Sequence, residues 1–330
     1  MKVLCIGSSN YEITCPINGE IKETDYINVS EKYECGGGSA GNVAYLLGKW
    51  GLETYIASLV GSDDFAQKIK KEYEAIGVKT DFIETAFDKG TSQTIILLNK
   101  TNKNNIVLNL SNNAILKKYS FGIDCDMVIT DGVDYNASLA AFDKYPNALS
   151  ILTINDVNNV NLEIGKFVKY IIFNKRSAEK ISNIKINYED SATLVNLFNV
   201  LKQKYNNSEI IVTLGERGCI YAINGQVKVM PPIRCETIDT FGAGNIFVGA
   251  FAYAMIRNFG YEKSIAYATI AASLSTTKIT SRLSIPSLIE VSNYYDSKFG
   301  VENNPNKVNE NIVNLNVQES GNTNDNQENV

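Results

Sequence analysis

The chain has 330 residues, 44% of them hydrophobic and 20% charged, with 36 Asp and Glu against 31 Lys and Arg for a net charge of −5. That length suits one large or two small globular domains, and the acidic balance argues against a nucleic-acid-binding surface. No apolar run reaches the ~20 residues of a spanning helix, so no membrane partner is expected.

Histidine is absent altogether. This removes Ser-His-Asp and Cys-His triads and histidine metal sites, and leaves acid–base chemistry to Asp, Glu, Lys, Tyr or Cys. The six cysteines (Cys5, Cys15, Cys35, Cys125, Cys219 and Cys235) are scattered, with no Cys-x-x-Cys pair. They read as reduced thiols in a cytoplasmic protein.

Along the chain, Met1–Ser8 has too short an apolar stretch and no small-residue cleavage site, so it reads as a first strand and not a leader. Val3–Ile6, Met127–Ile129, Ile171–Phe173 and Ile210–Val212 are short apolar runs of the kind buried on both faces of a parallel sheet. Amphipathic helices alternate with them. Val43, Leu46, Leu47 and Trp50 form one stripe ending at Gly51. Phe65, Ile69, Tyr73 and Ile76 form another ending at Gly77. Ile246, Phe247, Ala250, Phe251 and Ala254 form a third. Such alternation predicts a βαβ architecture. Residues 11–35 and about 91–110 instead alternate apolar and polar positions, as antiparallel strands of a small second sheet would. Asparagine makes up 11 of the last 30 residues, and 301–330 reads as a disordered tail.

Two glycine-rich segments carry the chemical signal. Asp239-Thr240-Phe241-Gly242-Ala243-Gly244-Asn245 runs straight into the third helical stripe. Glycines where a helix begins leave backbone N–H groups free to bind an anion; a plain tight loop entering a helix is the competing reading. Asp239 just upstream favours the phosphate reading, because Mg²⁺ is often held by one or two carboxylates plus phosphate oxygens. The second segment, Cys35-Gly36-Gly37-Gly38-Ser39-Ala40-Gly41-Asn42, would let a ligand approach the backbone closely. Asp131, after the strand Met127–Thr130, reads either as an acidic group facing a ligand or as a strand-end cap.

These segments together resemble the PfkB/ribokinase family of carbohydrate and nucleoside kinases. Gly36–Gly51 (GGGSAGNVAYLLGKWG) is similar to its first signature and Asp239–Ala250 (DTFGAGNIFVGA) to its second. Val212–Gly218 and Gly7–Glu12 resemble its nucleotide-side turn and its first strand. The resemblance implies a ribokinase-like three-layer α/β fold over residues 1–300. A mostly parallel sheet would be flanked by helices, with the 11–35 and 91–110 strands as a lid. It implies ATP and Mg²⁺, phosphates at Gly242, Ala243 and Gly244, and nucleotide contacts from Asp239, Thr240, Thr213, Gly215 and Asn174. Asp239 is also the candidate metal contact. A sugar, sugar phosphate or nucleoside would meet Asn10, Glu12, Gly37, Gly38 and Asn42. The strands of the lid suggest a homodimer.

Five positions depart from the family pattern. Asn245 stands where the general-base Asp is expected, and an amide cannot accept the acceptor's proton. Ser177 stands at the Glu of an Asn-x-x-Glu motif beginning at Asn174, unless Glu179 serves instead. Glu12 replaces an Asp, and Asn104-Asn105 replaces Arg-Thr in the lid. The chain therefore reads as a slow or impaired ATP-dependent carbohydrate kinase, or as a silent pseudokinase that binds nucleotide or sugar as a sensor, scaffold or partner subunit.

Overall fold

A computed structural model describes residues 1–19, 26–101, 105–112 and 115–300, together with the backbone of 313–315. The elements in chain order are β1 (Lys2–Ile6), β2 (Asn10–Ile17), β3 (Tyr33–Gly37), α1 (Ser39–Lys49), β4 (Glu53–Val60), α2 (Asp64–Ala75), β5 (Lys79–Thr85), β6 (Gln93–Asn99) and β7 (Asn105–Leu110). They continue with β8 (Met127–Thr130), α3 (Tyr135–Lys144), β9 (Leu149–Ile154), α4 (Asn159–Ile164), β10 (Tyr170–Asn174), α5 (Lys175–Ser182), α6 (Ser191–Lys204) and β11 (Glu209–Thr213). The last are β12 (Cys219–Ile223), β13 (Gln226–Met230), α7 (Ala243–Ile256), α8 (Tyr261–Ser275), α9 (Leu288–Phe299) and β14 (Val313–Leu315).

The main sheet has the order β14-β13-β12-β11-β10-β9-β8-β1-β4-β5. Pairing is parallel from β5 through β11 and antiparallel from β11 outward to β14. The four strands read from the sequence are all present, and β8 is buried at every position. Alternate residues feed opposite faces. Val3, Cys5, Met127 and Ile129 join a core with α1, α2, α7, α8 and α9. Leu4, Ile6 and Val128 pack toward α3, and Ile171, Phe173, Ile210 and Val212 toward α5 and α6. The result is the expected three-layer sandwich.

The small sheet has the order β3-β2-β6-β7. Its edge pairs are antiparallel, but β2 and β6 run parallel, with Tyr11 opposite Gln93. The expectation of antiparallel strands throughout is corrected here. β2 and β6 belong to different hairpins, and the connection between them passes through the main sheet. The tail is also not uniformly without structure: Val313–Leu315 pairs antiparallel with β13 through Val227↔Leu315 and Val229↔Val313. An outer antiparallel strand presents an open row of backbone donors and acceptors, and a short segment suffices to pair with it. The remaining tail residues lie outside the described residues. Among the described residues, no helix is long and apolar enough to cross a membrane.

Candidate active site

In open α/β sheets ligands sit outside the carboxyl ends of the strands, and here a cavity of about 600 Å³ lies there. The ends of β1, β4, β8 and β9 contribute Ser8, Leu59, Asp131 and Asn155. The small sheet closes over it with Asn10, Glu12, Thr94 and Asn109, while Gly38 and Ser39 from α1 and Asn245 from α7 form another side.

Most helices near this edge are capped by their own side chains: Asp134 accepts from Ala137 N, Asn158 from Asn161 N and Asn174 from Ser177 N. Helices α1 and α7 begin instead on Gly38 and Gly242, at φ of 89° and 84°, with no side-chain cap. The two are then used differently. At α1 the free amides are taken by the protein: Gly38 N donates to Glu12 Oε1 (3.2 Å), Ser39 N to Ser8 Oγ (2.9 Å) and Ala40 N to Asp131 Oδ2 (3.4 Å). At α7 the amides of Gly242 and Gly244 have no acceptor among the described residues. An anion therefore has backbone donors and the positive end of a helix dipole at α7, and not at α1.

Glu12 and Asp131 are buried carboxylates on this floor, exposed by 2% and 9%. Asp131 accepts from Ser8 N (2.8 Å), Ser8 Oγ (2.5 Å) and Val133 N (3.1 Å) besides Ala40. Glu12 accepts from Ser281 Oγ and from Asn42 Nδ2 at 3.4 Å. Burial holds both above the usual carboxylate range, and these hydrogen bonds oppose the shift. Asn10 donates to Thr94 Oγ1 (2.6 Å), while its Oδ1 is buried with no partner.

The expected acceptor-side residues divide into two groups. Asn10, Glu12 and Gly38 line the cavity. Asn42 and Gly37 lie behind it: Asn42 is fully buried between Glu12 and Arg282 Nε (3.3 Å), and a Cβ on Gly37 would collide with the Glu12 carboxylate. They support Glu12 from beneath the floor.

On the nucleotide side, Asn174 and Thr213 are register partners at the ends of β10 and β11, with Gly215 in the turn that follows. They occupy the same sheet edge, two strands beyond the cavity. Asn174 is committed to capping α5 and to Asn155 O (2.8 Å). Thr240 is exposed beside the turn. Asp239 is buried and turned into the protein, accepting from Phe241 N (2.9 Å), Asn105 Nδ2 (3.0 Å) and Thr280 N (3.2 Å). Its carboxylate braces the turn and ties it to β7. Among the described residues no three His, Cys, Asp or Glu side chains come together to hold a metal.

Asn245 sits in the first turn of α7 with Oδ1 3.4 Å from Asn155 Nδ2, which also donates to Ser39 Oγ (2.9 Å). Ser177 Oγ is buried with no partner. Glu179 faces away, accepting from Ile186 N (2.9 Å) and pairing with Lys185, and so does not replace the missing Glu. Of the pair in the lid, Asn104 lies outside the described residues.

A buried cation under the floor escapes sequence reading. Arg282, 2% exposed, lies over the rings of Tyr45 and Tyr73 and pairs with Glu72 at 2.6 Å. Glu72 in turn accepts from Gly36 N. Nothing periodic marks the Thr280-Ser281-Arg282 segment. Its one local peculiarity, Thr280 at φ 73°, shows only in the backbone.

Residues 1–288 match the pfkB family of carbohydrate kinases. A ribokinase of Staphylococcus aureus is 24% identical over 302 residues, which span 88% of this chain and 98% of that one. Two solved ribokinases share the fold: that of Thermotoga maritima has a TM-score of 0.75 at 22% identity, covering 89% of this chain and 99% of its own. That of Arabidopsis thaliana, complexed with ribose and ATP, has a TM-score of 0.72 at 20% identity, covering 88% and 97%. With the match spanning both glycine-rich segments and the whole main sheet through β13, the chain belongs to the pfkB family of carbohydrate kinases.

Proposed function

We propose that the protein binds ATP with Mg²⁺ and transfers the terminal phosphoryl group to a hydroxyl of a sugar or nucleoside, slowly because Asn245 stands at the base position. The observation that carries this is the contrast between α1, whose first amides are taken by Glu12, Ser8 and Asp131, and α7, whose Gly242 and Gly244 amides have no acceptor among the described residues while Asn245 of the same turn lines the cavity. The Gly242 and Gly244 N–H groups suit the charge of a transferring phosphoryl group, and such fixed donors cost no reorganisation during reaction. Asn10 and Glu12 would orient the acceptor hydroxyls. Bound Mg²⁺ would supply charge neutralisation between the phosphates. Asn245 can donate to or accept from the attacking hydroxyl, yet it takes no proton.

A second reading, a silent kinase fold that retains ligand binding, is favoured by Asn245 together with Ser177 and the inward-turned Asp239. Thermal denaturation with Mg·ATP separates binding from its absence. A ligand at 100 times its Kd stabilises by about 2.7 kcal/mol, so the melting temperature should climb steadily with concentration. No rise at millimolar nucleotide would defeat both readings.

Assembly as a homodimer through the small sheet is part of the proposal. Ile106, Leu108 and Leu110 of the edge strand β7 are 45–55% exposed. They alternate with Val107 and Asn109, which face the cavity. The six unpaired thiols and the need for ATP suit the cytoplasm.

A further inference from the structure

The cavity lining is mixed in character. Its floor is acidic and polar, with Glu12, Asp131, Asp134 and Asp156, and no Lys or Arg occurs among the described lining residues. The helix N-termini on that floor are already occupied, α1 by Glu12, Ser8 and Asp131, α3 by Asp134 and α4 by Asn158. A phosphate brought by the acceptor would meet carboxylates and find no cation among the described lining residues.

Three exposed apolar side chains also line the cavity. Val107 of β7, Ile115 of the loop before β8 and Val133 of the loop after it are 44%, 50% and 48% exposed, and all three line this cavity. Apolar side chains from separate segments converging on one hollow mark a ligand surface. Two buried polar atoms on the lining lack partners: Asn10 Oδ1, an acceptor near the floor, and Ser58 Oγ, next to Leu59. A buried polar atom of this kind costs free energy until something bonds to it. The cavity volume lies in the ~300–1,000 Å³ range of sites that enclose drug-sized ligands, more than one monosaccharide fills.

We propose that the acceptor is an uncharged nucleoside, its sugar hydroxyls on the floor with Asn10 and Glu12 and its flat base against Val107, Ile115 and Val133, and that sugar phosphates are rejected. This deepens the kinase reading and rests on it. A heterocycle has apolar faces for the three side chains and polar edges for Ser58. A phosphosugar can bond to Ser58 through its hydroxyls but has no flat aromatic face for the three side chains.

Calorimetric titration of the full chain tests this, with Mg·ADP saturating so that the nucleotide side is filled. The probes are uridine, inosine, D-ribose and ribose 5-phosphate. At least one nucleoside should bind ~10–200-fold more tightly than ribose, the range an apolar pocket confers on added apolar bulk, and ribose 5-phosphate should bind more weakly than ribose. The double variant Ile115→Ser, Val133→Ser should pull the nucleoside-to-ribose ratio toward one. Ribose binding as tightly as both nucleosides, ribose 5-phosphate outdoing ribose, or a ratio unmoved in the double variant each overturns the inference. If Mg·ADP binds and ribose wins, the kinase reading survives without it. If neither Mg·ADP nor any polyol binds, the kinase reading falls and takes the inference with it.

Discussion

Replacing Asn245 by Asp changes one nitrogen to an oxygen at the mouth of the cavity. Asn245 is half-buried, and its contact with Asn155 Nδ2 is one a carboxylate would keep as acceptor. In the first turn of α7 the new charge gains ~0.3–1 kcal/mol from the helix N-terminus. Asp131, Asp156 and Glu12 on the same cavity work against it, so the carboxylate should ionise near its ordinary range and be free to act as a base at neutral pH. A positioned base contributes ~10²–10⁴-fold, equivalent to about 2.7–5.5 kcal/mol of barrier at 1.36 kcal/mol per decade. The assay is ADP release with Mg·ATP and a panel of sugars and nucleosides. Asn245→Asp should raise kcat at least tenfold on some acceptor, and its rate should fall on the acid side as the new carboxylate protonates. Asn245→Ala should stay at or below the parent. The reasoning is refuted if Asn245→Asp is no faster while still binding Mg·ATP, or if the parent already turns over at the ~1–100 s⁻¹ usual for kinases.

Gly242→Ala should remove the nucleotide-dependent rise in melting temperature. Its Cβ would lie 2.6 Å from Ser281 Cβ on a backbone at φ 84°, at a stability cost of about 1–3 kcal/mol; an unaltered nucleotide response would count against the α7 site. Arg282→Met keeps bulk between Tyr45 and Tyr73 but strips Glu72 and Asn42 of their cation. Removing one partner of a buried pair costs about 3–5 kcal/mol, and the 30% exposure of the Glu72 side chain puts this case at the low end. A denaturant midpoint equivalent to less than about 1 kcal/mol of loss would show that the stacked cation is dispensable. Glu12→Gln tests the buried carboxylate through pH. Because burial raises the Glu12 pKa in the folded state, the stability it contributes is complete below its unfolded pKa and declines as pH rises through the folded value. The melting temperature of Glu12→Gln relative to the parent should therefore improve as pH rises above the ordinary glutamate value of about 4.3, and a constant difference would contradict the shift.

The parallel strands were legible because burial on both faces leaves an unbroken apolar run, as in Val3–Ile6 and Ile210–Val212. Helices α1 and α2 showed through their one-sided stripes and closing glycines. Helix α8 gave no such stripe: it is buried nearly all round against α7 and α9, so no polar face exists to set a period. At the site, both glycine-rich turns were readable from spacing. The roles of Asn42 and Asp239 were not, because whether a polar side chain faces a ligand or braces a loop depends on partners far along the chain. Asp239 is held by Asn105 and Thr280, and Glu12 by Ser281, 269 residues away. Strand order and the parallel β2–β6 pairing likewise depend on long-range register that no local pattern encodes.

The same glycine-led helix start occurs twice around this cavity, once plugged by Glu12 and Asp131 and once left bare. Two glycine starts of similar φ, at ψ of 151° and −14°, thus end with opposite electrical character. In the proposed reaction, the acceptor's hydroxyls would lie toward α1 and the polyphosphate's tip toward α7, so that each reactant would point at the other. On that reading, direction along the cleft follows from which of the two glycine-led termini has been filled.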